Sequence, residues 1–249
     1  MGQSGRMRED PPTVVDRTTL RQVLHSGDPA AIVAVVAGHD VRPALQLAGD
    51  AVLVALEAGA TGADNVAGTV VATLRERVWD GDLELAEELV AVSDGRARLG
   101  EILTVELDDV ADLLEGDLND GGGYLDLQTG DTWPLVDGDD GYLADVGVDL
   151  DDEPDRWLRV HPLGSHDGWE DMAHFAAGVT DDRLRGRLDE AIHGRGAFRR
   201  FKDAVHQAGV AEQWYGFSAE RRAGRARAWL AGEGIRARPR RWVDSAGDG

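Results

Sequence analysis

Charge is distributed along this chain in a way that restricts how it can fold. Residues 183–249 hold 15 Arg or Lys against 8 Asp or Glu, whereas residues 1–182 hold 11 against 39. The C-terminal part therefore carries +7 and the longer preceding part −28, for a total of −21. Unlike charge on two portions of one polypeptide attracts, so the basic part is expected to fold back against the acidic part. A net charge of −21 also opposes general binding to nucleic acid or anionic membranes and leaves only local contacts of that kind. Lys202 is the only lysine, and Ala, Gly, Val and Asp are abundant. That composition fits a GC-rich coding bias or a salty cytoplasm, and neither implies an activity.

With 249 residues, 42% of them apolar, the chain can bury a real core in one large domain or two modest ones. Cysteine is absent, which excludes disulfides, thiolate zinc sites and cysteine nucleophiles within this sequence. The opening "MGQSGRMREDPPTVVDRTT" has basic residues with no apolar run behind them, so residues 1–17 are expected to be a disordered leader. The most apolar run, "PAAIVAVVAG" from Pro29 to Gly38, is about half the roughly 20 residues that a membrane span needs. The expectation is a cytoplasmic protein with no membrane partner, and no cofactor motif is present.

Residues 18–98 read as successive helices separated by Gly, Asp or Pro breaks. Val66, Val70, Val71 and Leu74 recur at helical spacing, and Asp28, Asp40 and Thr61 stand where N-caps belong. No fixed period marks a repeat array. Near Gly100 the pattern changes: "EILTVEL" alternates as a strand does, and "DDVADLLEGD" is helical. "GYLDLQTGDTWPL" then reads as a hairpin with Thr129-Gly130 at its tip. Leu125, Leu127, Trp133 and Leu135 are expected on its buried face. Nine carboxylates between Val136 and Asp155 predict a solvated acidic loop, and "RWLRVHPL" a further strand ended by Pro162. Helices are predicted over 166–178, 181–193, 196–208 and 219–231, with Ser165 and Ser218 as N-caps and Gly194, Gly209 and Gly232 as stops. A basic arm and polar tail follow from 236 to 249. The fold class is therefore α+β, a helical N-terminal region followed by a small antiparallel sheet covered by C-terminal helices.

"GYLDLQTGDTWPL", "RWLRVHPLGSHDGWEDMAHFAAGV" and "GRGAFRRFKDAV...WYGFSAERRAGRARAWLAGEGI" together resemble an uncharacterised protein family, number 0158, over roughly residues 102–235. The resemblance implies that residues 99–235 form one domain and that the helical region before it is an appendage. It implies no activity. It also implies a basic residue where His166 stands and no requirement for histidine at position 174.

The passage "HGRGAFRRFKDAVHQAG" supports two readings. A helix starting at Gly196 points free N–H groups outward beside Arg195, Arg199, Arg200 and Lys202, a geometry that favours a phosphate or carboxylate. In the packing reading, Gly194 ends one helix, Gly196 permits close approach, Phe198, Phe201 and Val205 form the buried face, and Arg199 pairs with Asp203. Trp214, Tyr215 and Phe217, beside Arg221, Arg222, Arg225 and the tail arginines, suggest single-stranded nucleic-acid binding as an alternative. A metal-assisted hydrolase is a further alternative. His166, Glu170 and His174 share a helical face at metal-chelating spacing, without the HExxH pattern. Asp126, Asp167, Glu170 and Asp171 are its acid-base candidates, provided that they converge. Ser165-His166-Asp167 is no triad, because triad members come from separate segments. Asp117 to Gln128 matches part of a calcium loop but lacks its final glutamate. The expectation is a non-enzymatic protein whose partner is a small anionic ligand or another protein.

Overall fold

A computed structural model of the chain describes residues 12–97, 100–115, 121–135, 150 and 153–240. Most of the leader, most of the acidic loop, the first third of the calcium-loop match and the end of the tail fall outside these residues.

The N-terminal half winds into α1 (Arg17–Ser26), α2 (Pro29–Gly38), α3 (Leu45–Glu57), α4 (Ala63–Arg77) and α5 (Asp82–Ser93). Asp16 accepts from the Thr18 and Thr19 amides to open α1, and Asp28 accepts from Ala30 and Ala31 to open α2. Each such cap stabilises its helix by about 1 kcal/mol. Asp40 does not cap the short 3-10 helix Arg42–Ala44, whose N-cap is Val41, although its carboxylate accepts from the Arg42 amide at 3.1 Å. Thr61 does not cap α4; Gly62, at φ 88°, takes that position. Leu20, Ile32, Leu45, Leu74, Leu85 and Leu89 meet in a fully buried cluster, and Val66, Val70 and Val71 join it from α4 as their spacing predicts. Burying each large aliphatic side chain contributes roughly 1.5–3 kcal/mol.

Next come β1 (Glu101–Thr104), α6 (Leu107–Leu114), β2 (Gly123–Asp126), β3 (Thr132–Pro134) and β4 (Trp157–Val160). Strands β2, β3 and β4 form an antiparallel sheet in the order β3-β2-β4. At the hairpin tip Gly130 has φ 74°, and a Cβ there would lie 1.9 Å from the Thr104 carbonyl oxygen, so no other residue fits. The expected shared face is only half right. Leu125 is buried and Leu127 packs beside it, but Leu125 is opposite Thr132 while Trp133 is opposite Tyr124. Odd positions of β2 thus face even positions of β3, and Trp133 and Leu135 fall on the other face.

The C-terminal helices are α7 (His166–Gly178), α8 (Asp182–Ala191), α9 (Ala197–Gln207) and α10 (Ala211–Gly232). Helix α10 begins eight residues before the predicted start, and Ser218 lies in its interior. The reason is packing. Trp214 and Phe217, one turn apart, meet Phe175 of α7 and Phe201 of α9 with ring centroids 4.9–6.2 Å apart. Such aromatic pairs add about 0.5–1.5 kcal/mol each. The expected basic arm also begins as structure: β5 (Ile235–Arg238) pairs in parallel with β1, burying Ile235 and Ala237 on alternate positions.

Helix α10 is the axle of the molecule, touching α3, α5, α6, α7, α9 and β5. At Gly224 its backbone meets the turn before α5 so closely that a Cβ would sit 2.2 Å from the Asp80 carbonyl oxygen; at Gly81 one would sit 2.3 Å from that of Gly224. The expected attraction between basic and acidic parts is visible here. Arg227 reaches Asp50 at 2.5 Å and Gln46 at 2.7 Å. Glu220 accepts from the Gln46 amide at 2.6 Å and from Arg77 at 3.0 Å, with Arg17 at 3.4 Å. Arg221 and Arg225 hold Asp171, each at 2.8 Å, and Arg222 holds Glu115 at 2.8 Å and also Asp112.

Candidate binding site

In a chain with this excess of acid, cations without a carboxylate are the informative ones. Among the described residues, Arg75, Arg159, Arg183, Arg187, Arg195, Arg199, Arg200 and Lys202 have no described carboxylate oxygen within 4.0 Å. All but Arg75 and Arg159 belong to α8, α9 and the turn between them. Residues 183–202 hold seven basic and two acidic side chains.

Local conformation explains how this segment is built. Gly194 and Gly196 both take positive φ, 81° and 75°, which turns the chain sharply out of α8 and into α9. Arg200 is folded back: its guanidinium donates to the backbone carbonyls of His193, Gly194 and Arg195. It therefore braces the turn while remaining exposed at the surface. Gly196 caps α9 without a side chain, and the amides of the first turn have no intrahelical acceptor. Arg195, Arg199 and Lys202 are exposed around this helix start. The expected pair between Arg199 and Asp203 is absent among the ion pairs of the described residues.

The packing reading holds for the opposite side of α9, where Phe201 and Val205 are buried at 1% and 0% exposure. It fails for Phe198, which is 50% exposed. The Phe198 ring lies against Gly168, 3.1 Å from where a Cβ would stand. Two other aromatics are exposed, one on α7 and one on α10. Trp169, 37% exposed, donates from its indole N–H to the Ile192 carbonyl at 3.0 Å. Tyr215, 43% exposed, meets His206 of α9 through its hydroxyl at 2.9 Å. Tyr215 is one of the stacking aromatics the sequence suggests, but nothing local links it to His206; Trp169 is not legible in the sequence, since it shares a helical stripe with buried Met172 and Ala176.

The other proposed constellations are dispersed. Arg221, Arg222 and Arg225 are engaged in the ion pairs above, and Trp214 and Phe217 in the aromatic cluster, so they form no free stacking platform. Arg236, Arg238 and Arg240 pair with Glu88, Glu57 and Asp131. His166 contacts the Glu170 carboxylate at 3.1 Å, while His174 bonds through Nδ1 to the Glu170 carbonyl. Among the described residues, no three metal-ligating side chains gather. Asp126 and Asp171 do not converge, each being tied to its own arginines. Burial acts to raise the Asp126 carboxyl, but bonds from Arg156 and the Gln128 amide outweigh it and hold it below the usual range.

A cavity of about 60 Å³ lies between α1, α3 and α6, lined by Arg17, Arg21, Gln46, Asp50, Glu106 and Asp108 among others. It is large enough for a few waters and too small for a metabolite. Its charges largely answer one another, Arg21 with Asp108 at 2.6 Å and Asp50 with Arg227. Burial raises Asp50 against the pull of Arg227. Burial, reinforced by Asp109 and Asp50, pushes Glu106 up to about 7.

The fold and this geometry define an α+β protein with an inward-paired central helix and an outward basic helix beside it. A family model described as Uncharacterised protein family (UPF0158) matches residues 102–245, more than half of the chain, and the chain belongs to that family. The match includes α9 and α10 and leaves out α1 to α5. No curated protein and no solved structure matches the chain. Among the described residues, no helix is long and apolar enough to cross a membrane.

Proposed function

We propose that this is a non-enzymatic cytoplasmic protein that recognises an anionic ligand or an acidic partner through the face of α9 bearing Arg195, Arg199 and Lys202. The observation that carries the reading is the contrast in pairing. Arginines of α10 are matched with carboxylates, whereas the cations of residues 183–202, Arg185 apart, have none within 4.0 Å among the described residues. A soluble anion is the natural complement, and the first-turn amides of α9, capped by Gly196 without a side chain, favour one at the helix start. The separate ion pairs of Asp126 and Asp171 weigh against a hydrolase, since acid-base catalysis needs convergent groups.

The test is the melting temperature of the full chain with inorganic phosphate, polyphosphate, nucleotides and an acidic polypeptide. An anion at about 100 times its dissociation constant adds roughly 2.7 kcal/mol to stability and raises the melting curve visibly. The rise is expected to vanish in R195A/R199A/K202A. Retention of the full shift in that variant would overturn the assignment of this face.

A further inference from the structure

Resting on the reading above, we propose that the anion taken by α9 is a single-stranded nucleic acid, held by alternating cations and aromatic rings. Trp169, Phe198 and Tyr215 are the only exposed Phe, Tyr or Trp among the described residues; Phe198 stands on the helix that carries the unpaired cations, Tyr215 meets it at His206, and Trp169 bonds the Ile192 carbonyl at the end of the helix before it. Phe198 leaves half of its surface in water, and Trp169 and Tyr215 more than a third of theirs. Beside free cations they supply what a flexible polyanion with π-faces needs.

The order along the helix matters. Phe198, Lys202 and His206 are spaced by four residues, so they share one stripe, with Arg199 at its edge. At 1.5 Å per residue, Lys202 lies about 6 Å and His206 about 12 Å along the axis from Phe198. His206 carries Tyr215 on its ring nitrogen at 2.9 Å, and Trp169 stands on α7 beside Gly168, on which Phe198 rests. The stripe therefore reads ring, cation, ring, with Arg195 and Arg199 beside its start. Bases stack on rings without regard to sequence, and phosphates take the cations. A purely acidic protein segment would use the cations and leave the rings uncovered. The total of −21 does not forbid this, because charges farther than about 8 Å are screened at physiological salt, and the turn and helix over residues 193–207 hold Arg195, Arg199, Arg200 and Lys202 against Asp203 alone, a local +3.

The full chain is titrated by fluorescence anisotropy with labelled 12-residue oligouridylate, with polyphosphate and polyglutamate as competitors. The variants are R195A/R199A/K202A and F198A/Y215A, their folding checked by melting temperature. Oligouridylate binding is expected to weaken at least tenfold in the first. In the second it should weaken about fivefold or more, from the loss of stacking. With three phosphate contacts the affinity should fall about 20-fold between 50 and 200 mM salt. Polyphosphate competition should respond only to the cation variant. Because Lys202 is the sole lysine, its reductive methylation read by mass spectrometry reports occupancy directly, and oligouridylate should protect it.

If polyphosphate competes as strongly as unlabelled oligouridylate and F198A/Y215A changes nothing, the nucleic-acid inference falls while the anion reading stands. Protection of Lys202 by polyglutamate without any binding of oligouridylate replaces it with an acidic protein partner. If none of the three polyanions binds or protects Lys202, both readings fall together.

Discussion

Helices α9 and α10 are neighbours, both rich in arginine, and they use it in opposite ways. In α10, Arg221, Arg222, Arg225 and Arg227 turn toward carboxylates supplied by α3, α6, α7 and the loops between helices. In α9 and the turn before it, Arg195, Arg199 and Lys202 turn outward and meet none among the described residues. The same residue type is a structural fastener in one helix and free charge in the other. Burial decides which: a guanidinium taken out of water must be paired, while one left in water need not be.

The sharpest way to test this contrast is to remove one arginine from each helix. Arg227→Ala leaves Asp50 buried without its cation and is expected to cost about 3–5 kcal/mol, read by urea denaturation. Next in size is the seat of α10. Gly224→Ala drives a Cβ into the Asp80 carbonyl and should cost about 1–3 kcal/mol despite its better helix propensity. In α9, Gly196→Ala meets only the tip of Arg200 at 3.6 Å and should cost about 1 kcal/mol, from its positive φ.

A smaller effect concerns pH. Glu106 has its carboxyl pushed up to about 7 from an ordinary 4.5, so it is protonated in both states below the lower value. As pH rises between those values, the unfolded chain ionises first and folding loses stability. After discounting for solvent screening, the loss is about 1–2 kcal/mol. The difference in stability between Glu106→Gln and the native protein, measured from pH 4.5 to 7.5, should show this slope. A pH-independent difference would remove the assignment. Least of all, Arg199→Ala should change stability by less than about 0.5 kcal/mol. A cost comparable with that of Arg227→Ala would erase the distinction between the two helices.

The legible parts of this fold are those governed by near neighbours. Asp28 as a cap, Gly130 at the hairpin tip, the valine stripe of α4 and the exact run of α7 all follow from local spacing and backbone preference. The misreadings lie where a distant partner outweighed a local signal. Ser218 looked like a helix start until the aromatic rings of α7 and α9 drew Trp214 and Phe217 into the same helix. The arginines at 236 and 238 looked like an arm because β1, their strand partner, lies more than 130 residues earlier. Of the candidate site, Arg195, Gly196, Arg199 and Lys202 were legible as a basic helix start. Arg200 belongs to the same basic start, and only the fold shows its guanidinium bonded to the carbonyls of the turn before it.

By itself the sequence determined the α+β class, the family resemblance, most helix positions and the attraction between an acidic body and a basic end. These follow from composition, periodicity and charge, which are properties of the chain in any conformation. Only the tertiary structure decided which arginines that attraction would consume. Pairing depends on which side of a helix meets a neighbour, and two adjacent helices with similar composition were turned to opposite fates by what packs against each.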